Sequence, residues 1–395
     1  MDRSRLPVRI VVLLATAALL LSGCAGGSAE KSSQAGHGGA SAPPVRITVT
    51  PASGAGKASP ITPVVVRADR GRLDSVRLVG KHGSVVRGAF SPDRTRWTSQ
   101  GPLGYGRKYS VTAAGHNKDH SKVTRTSRFS TVTPRTLTEA SIFPNKQTPS
   151  VGIGQPIIVT FDEPVTDRAA AERSLSVKAI PPTVGSWFWV DGKHVRWRPM
   201  KYWKPGTTVT VRADIYGKDL GNGVFGEQNN VATFGIHDAW VAIGDVNTYR
   251  LTVYHNGQEV EDFPASFGRP KYPTHNGVHV VEEKSQLVLM SSSTWGLPAS
   301  SPDSYTNFPA YWSTRISNGG EFVHANDGTA GSQGYANVTH GCVNLTTERA
   351  KWFYDHFNHG DIVTIIGGSP ELPEWDGYGD WNVPWDKYVQ GSALH

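Results

Sequence analysis

The chain has 395 residues with 40 Lys and Arg against 33 Asp and Glu, so its formal charge is +7 at pH 7. That length favours two to four domains, each able to bury its own core, over one compact domain. The modest positive balance comes without basic runs interleaved with aromatics, so it gives no support for a nucleic-acid partner.

Arg3, Arg5 and Arg9 precede an apolar run over residues 10–21, and Ser22-Gly23-Cys24 follows at once. The run is too short to span a bilayer comfortably and reads as the h-region of a signal peptide, residues 1–23. Leu21-Ser22-Gly23-Cys24 resembles a bacterial lipobox, which implies that Cys24 is lipidated and becomes the mature N-terminus. Of the two cysteines, Cys342 is then left without a partner, as suits an exported chain lacking disulfides. Removal of residues 1–23 takes away three Arg and one Asp and leaves a net charge of +5. That balance suits work beside an anionic wall or membrane, and equally suits ordinary solubility. Residues 24–44 are mostly Ala, Gly, Ser and Pro and read as a flexible tether, spanning roughly 25 Å on average.

Residues 45–134 alternate short extended runs, at 45–49, 109–113 and 128–132, with turn-rich pieces. With no helical period, this predicts a β-sandwich of immunoglobulin type. Residues 135–236 predict a second one, with strands at 156–161 and 207–213. Its strongest local signal is Asp191-Gly192 between two aromatic arms, Trp187-Phe188-Trp189 and His194-Val195-Arg196-Trp197, which marks a tight hairpin. Alternating Trp of this kind usually faces a core, with a sugar platform as the alternative. Asp219, Asn222 and Gly223 form a polar turn whose oxygens offer a candidate cation site, although the acidic density of an EF-hand is missing.

Residues 237–368 change character. Strands are predicted at 240–246 and 249–255, with Asn256-Gly257 as a hairpin turn, and at 278–283 and 286–290 as another pair. A helix starting near Thr346 carries Ala350, Phe353, Tyr354 and Phe357 at i, i+3, i+4 and i+7 and stops at Gly360. The tail 369–395 holds Trp375, Tyr378, Trp381, Trp385 and Tyr388, which predicts a strap packed back on the folded domains, with glycan binding as the alternative.

The chemistry gathers between Glu321 and Leu345. Phe322-Val323 runs into His324, and after fourteen intervening residues comes Thr339-His340-Gly341-Cys342-Val343-Asn344. If this segment is extended, His340, Cys342 and Asn344 share one face. A thiol is mostly protonated at neutral pH and needs a neighbouring imidazole to become a nucleophile, and on the residues alone either histidine can supply it. A buried structural Cys beside a hydrogen-bonded His is the bland alternative. There is no G-x-S-x-G, H-E-x-x-H or P-loop, and no His/Cys pairing at zinc spacing.

His324, fourteen residues, then Thr-His-Gly-Cys-Val-Asn resembles the signature of the L,D-transpeptidases with the YkuD catalytic fold. The resemblance extends to Pro273-Thr274-His275-Asn276-Gly277, to Trp352-Phe353-Tyr354-Asp355-His356 and to Gly379-Asp380-Trp381-Asn382-Val383-Pro384-Trp385. It is closest to the actinobacterial enzymes with two immunoglobulin-like domains. The fold class expected is therefore mainly β: two immunoglobulin-like β-sandwiches, a YkuD-type β-rich catalytic domain and an aromatic C-terminal strap.

What the resemblance implies is acyl transfer between peptidoglycan stem peptides without a cofactor, on the outer face of the bacterial membrane. Cys342 matches the nucleophile and His324 the base, with the Ala325 carbonyl orienting it. His340 and Asn344 shape the site, and backbone N–H groups around Gly341 and Cys342 form the oxyanion hole. Tyr305, Gly319, Gly320 and Thr339 match substrate contacts. Gly328 departs from close relatives, which carry a bulky aromatic there, so a more open mouth is expected. Carbapenems are the expected inhibitors. Two alternatives stay open: hydrolysis of the same thioester by an L,D-carboxypeptidase, and a non-catalytic wall-binding lipoprotein.

Overall fold

Alternation along the first long strands sets the first sandwich. Lys108–His116 buries Tyr109, Val111 and Ala113 and turns the residues between them outward. Its sheet runs in the order Val85–Val86, Arg72–Val79, Lys108–His116, Lys122–Ser130. The facing sheet runs Arg46–Thr50, Val65–Asp69, Arg96–Ser99, Gly88–Phe90. Val66, Trp97, Leu78, Val111 and Phe129 from the two inner faces share one core. The computed structural model describes residues 41–374 and 376–395. Cys24, the h-region and most of the tether lie outside the described residues.

A second pair of sheets follows. One is ordered Ala140–Phe143, Ile157–Phe161, His194–Pro199, Gly185–Trp189, the other Ser150–Val151, Asn230–Ile236, Thr208–Ala213, Leu175–Ile180. Across the hairpin Trp187 pairs directly with Trp197, and both lie with Trp189 in the core between the sheets. The aromatic stripe is thus core. The Asp191 carboxylate accepts from the N–H groups of Lys193 and His194, at 2.7 and 2.8 Å, and closes the turn.

The loop of the candidate cation site is a hydrogen-bonded turn. Asp219 Oδ1 accepts from the Gly221 N–H at 3.0 Å, and the Gly223 carbonyl accepts from the Arg135 N–H at 2.9 Å. Asn222 and Gly223 both take positive φ, which Asn and Gly tolerate. Among the described residues no three His, Cys, Asp or Glu side chains converge as a metal site would require.

The last two sheets carry the site. A five-stranded sheet is ordered Gln258–Pro264, Arg250–His255, Trp240–Asp245, Ile362–Ile366, Gly277–Val280, and a four-stranded one Glu283–Met290, Phe308–Arg315, Phe322–Ala325, Val343–Leu345. Asn256 and Gly257 turn the first hairpin with positive φ at both positions, as a tight turn between twisted strands demands. The expected pairing of 278–283 with 286–290 is corrected: Gly277–Val280 pairs with Ile362–Ile366, and Glu283–Met290 pairs with Phe308–Arg315. At Val281 the chain leaves one sheet for the other, so the two runs never face each other.

Helix Thr347–His356 lies against strands Phe308–Arg315, Phe322–Ala325 and Val343–Leu345. Ala350, Phe353 and Phe357 are fully buried there, while Tyr354 is half-buried with its ring on Trp312. The Asp327 carboxylate accepts from the N–H and hydroxyl of Thr347, both at 2.8 Å, which places a negative charge at the helix N-terminus. Burying a phenyl ring of this kind contributes about 2–3 kcal/mol, so the helix is a firm brace for the two strands that bear the site.

The tail packs back as a strap. Tyr388 is buried against Phe188, with ring centroids 5.1 Å apart, and the Trp381 indole donates to the Gly154 carbonyl at 2.7 Å. Arg196 pairs with buried Asp380 at 2.8 Å, and Asn382 exchanges two 2.8 Å bonds with the backbone of Val278. These contacts tie the second sandwich to the third pair of sheets, within one compact unit over Pro44–His395.

Candidate active site

The parallel pairing of Phe322–Ala325 with Val343–Leu345 sets His324 opposite Asn344, two residues beyond Cys342. Only Val343–Leu345 is strand; the residues before it form a stapled turn rather than the expected extended run. Thr339 Oγ1 donates to the Cys342 carbonyl at 2.7 Å and accepts from the Gly341 N–H at 3.1 Å. Thr274 Oγ1 holds the Gly341 carbonyl at 2.8 Å from the other side. Gly341 has φ +117°, a conformation that L side chains rarely adopt, so glycine is what lets the turn deliver Cys342. His340, Cys342 and Asn344 nevertheless reach one cavity of about 270 Å³, whose walls include His324, Thr339, Tyr305, Phe308 and Met290.

Burial pushes the Cys342 thiol up to about 12, opposed by the Phe322 N–H that faces the sulfur. Burial also holds the His324 imidazole down at about 4. At neutral pH the resting site is therefore a thiol and a neutral imidazole. His324 Nδ1 donates to the Ala325 carbonyl at 2.9 Å, which fixes the tautomer and leaves Nε2 as the basic nitrogen. The ring is 3% exposed, so no solvent competes for that nitrogen on most sides.

His340 is built differently. Arg269 donates to its Nε2 at 3.0 Å, so that nitrogen is an acceptor and the ring is neutral. Desolvation, and after it the Arg269 charge, lower its basicity. The ring stacks on Tyr272, with centroids 4.9 Å apart, and leans on Tyr305 at 5.4 Å. Asp303 organises this corner by accepting from Lys271 at 2.6 Å, Arg269 at 2.5 Å and the Tyr272 hydroxyl at 3.0 Å, which holds its carboxyl well below the usual range.

Three expected site residues make other contacts than the sequence suggests. The Gly341 N–H is held by Thr339, so it is not free for an oxyanion, whereas the Cys342 N–H has no acceptor among the described residues. Gly319 lies outside the cavity wall and donates to Asp376 of the strap at 2.6 Å. Gly320 touches the site through its carbonyl, which accepts from Cys342 Sγ at 3.7 Å. Asn344 donates to Thr329 Oγ1 at 3.3 Å and keeps a buried Oδ1 without a partner among the described residues. Gly328 sits in the turn Asp327–Thr329, next to Thr329 in the wall.

The L,D-transpeptidase catalytic domain (YkuD) family matches residues 238–365, and the bacterial Ig domain family (Big_10) matches residues 55–219. The chain is 40% identical over 351 residues to L,D-transpeptidase 2 of Mycobacterium tuberculosis (strain CDC 1551 / Oshkosh), covering 88% of this chain and 85% of the relative. This chain belongs to the L,D-transpeptidase family. It is also 39% identical over 361 residues to L,D-transpeptidase 5 of Mycobacterium tuberculosis (strain ATCC 25618 / H37Rv), covering 89% of this chain and 78% of that one. An L,D-transpeptidase solved in complex with imipenem matches 57% of this chain and 98% of its own, at 35% identity and a TM-score of 0.50.

In this L,D-transpeptidase the sequence reading missed the support behind the thiol. Buried Glu321 accepts from the His275 N–H at 2.8 Å and from His275 Nδ1 at 2.9 Å, and that side-chain hydrogen bond, with the Glu321 charge behind it, raises His275. Glu321 immediately precedes the strand of His324, and His275 lies in the Pro273–Gly277 motif, but nothing in their spacing shows that they pair. Arg269 and Asp303 were equally silent, since they are 34 residues apart.

Proposed function

We propose that this L,D-transpeptidase cross-links peptidoglycan stem peptides between third-position diamino acids, through a thioester on Cys342, while lipid-anchored by Cys24 to the outer face of the bacterial membrane. The observation that carries the chemistry is the parallel register of His324 with Asn344, which brings the neutral imidazole and the thiol to one cavity.

Cys342 Sγ attacks the carbonyl of the third residue of the donor stem as its proton passes to His324 Nε2. The oxyanion takes the Cys342 N–H, a preorganised donor that needs no rearrangement. Collapse breaks the bond to the terminal D-alanine, and His324 returns the proton to the leaving amine. The side-chain amine of a second stem then attacks the thioester, gives up a proton through His324 and leaves the cross-link, with the thiol restored. His340, Tyr305 and Asn344 shape the donor pocket, and Thr339 holds the turn that presents the nucleophile.

Water in place of the second stem's amine would release the same thioester as a free tripeptide. Mass spectrometry of products from purified disaccharide tetrapeptide separates the two. A cross-linked dimer lacking one D-alanine, lost in Cys342→Ala, is the expected product. Monomeric tripeptide alone would replace transfer by hydrolysis.

A further inference from the structure

Charge is divided unevenly along the chain. Residues 45–134 carry 16 Lys and Arg against 4 Asp and Glu, a net of +12, whereas residues 135–395 carry 20 against 27, a net of −7. Every one of those 16 cations except Arg94 is exposed. Arg94 is occupied by the carbonyls of Leu73 and Asp74.

Three of the arginines gather at one end of the first sandwich. Arg46, Arg70 and Arg125 converge on an open groove of about 390 Å³ where strand Arg46–Thr50 meets strand Lys122–Ser130, and no residue lining it is acidic. The nearest carboxylate by register is Asp69, which lies opposite Arg46. Two residues further along the same sheet, Arg67 stands directly across from Arg96. Like charges so placed repel and weaken a sheet, so this arrangement costs stability unless an anion lies over it. No ion pair is made by any of these five arginines among the described residues. The groove also includes Pro44, where the compact unit begins and the tether from Cys24 ends.

We infer that this end of the first sandwich is a docking surface for the anionic headgroups of a phospholipid bilayer. Guanidinium groups bind phosphate oxygens in bidentate fashion, and a cluster of them is drawn to an anionic leaflet within about one Debye length, roughly 10 Å. The chain order favours a membrane over a distant polymer, because the basic end is the one that follows the tether. Residues 135–395, with their net negative charge, are repelled by the same surface, which leaves the first sandwich as the part that docks. Beside a lipid anchor, a basic surface adds an electrostatic attraction that holds this end of the sandwich down on the leaflet.

The test uses the polypeptide 25–395, which keeps the whole compact unit and lacks Cys24, so that acylation plays no part. Co-sedimentation is measured with vesicles of phosphatidylcholine alone and of an equal mixture with phosphatidylglycerol, alongside soluble polyphosphate as a competitor. Binding to the mixed vesicles only, weakened by added salt, is expected. Arg46→Glu/Arg70→Glu/Arg125→Glu should lower that affinity by about tenfold or more, while its acylation by imipenem at Cys342 stays that of the parent. Arg67→Gln/Arg96→Gln, which swaps two outward charges for neutral groups, should weaken binding and raise the melting temperature. Equal binding to neutral vesicles, or unchanged binding in both variants, overturns the inference. So does retention by polyphosphate without any binding to vesicles, which would make a soluble polyanion the partner. Because Cys24 is absent, none of these outcomes bears on the lipid anchor.

Discussion

The Cys342 thiol donates to the Gly320 carbonyl, with the sulfur 3.7 Å from the oxygen. A resting nucleophile held this way is a protonated thiol parked against its own wall, and its high pKa agrees. It becomes a nucleophile only when an electrophile in the cavity lets His324 take the proton. Incubation with imipenem should therefore add one drug mass to the intact protein, read by mass spectrometry, and the adduct should vanish in Cys342→Ala. An adduct that persists in the variant would place the nucleophile elsewhere.

Anchoring is tested at the other cysteine. If Leu21 to Cys24 is a lipobox, Cys24→Ala should leave the precursor uncleaved and without lipid. Phase partitioning in detergent reads the result directly. Equal partitioning of wild type and variant would remove the lipid anchor from the account.

Glu282 supplies a pH dependence of stability. Burial raises its carboxyl to about 7, and Asp376 adds to the rise while Arg315 and the Tyr378 N–H oppose it. The folded state thus keeps a proton that the unfolded chain releases between about 4.5 and 7, so stability is lost as pH rises through that window. Glu282→Gln cannot lose a proton. Its stability relative to wild type should rise by roughly 2–3 kcal/mol between pH 5 and pH 8 in urea denaturation. A difference that does not change with pH would mean that Glu282 is charged throughout.

The strap offers a further check on packing. Asp380 is 4% exposed and accepts from Arg196 at 2.8 Å and from the Tyr388 hydroxyl at 3.0 Å. Removing one partner of a buried pair strands the other charge, so Asp380→Ala should destabilise the protein by about 3–5 kcal/mol. If the strap were a loosely attached tail, the melting temperature would hardly move.

How much of this was legible in the sequence differs by the range of the interaction. His324 and Cys342 could be named because the motif fixes their spacing, and the helix that braces them shows its period in Ala350, Phe353 and Phe357. The Trp187–Trp197 core could be read from local alternation. Register could not: Gly277–Val280 finds its partner in Ile362–Ile366, some 85 residues on, and a short apolar run carries no label for which sheet it joins. The same limit hid Glu321 with His275, and Gly319 with Asp376. The Gly341 amide was misjudged for another reason, since nothing in a sequence tells that a neighbouring Thr hydroxyl will take it first.

The roles of the two histidines make the sharpest prediction. Both line the cavity and both are neutral, so charge does not separate them. Hydrogen bonding does. His324 Nδ1 is fixed on the Ala325 carbonyl and its Nε2 has no donor among the described residues, whereas His340 Nε2 already accepts from Arg269. Only the first has a lone pair ready for the thiol proton. A general base contributes about 10²- to 10⁴-fold, so His324→Ala should slow acylation by imipenem across that range at pH 7. Because the wild-type base titrates near 4, the wild-type rate should be flat from about pH 5 to 9. In His324→Ala the rate should instead climb with pH, as the thiol must ionise unaided. His340→Ala opens the space between Tyr272, Tyr305 and Arg269 and should lose rate through misplacement, yet keep the flat profile. Stopped-flow acylation across pH on both variants reads this directly. If His340→Ala gains the climbing profile and His324→Ala keeps the flat one, the base is His340 and the roles exchange.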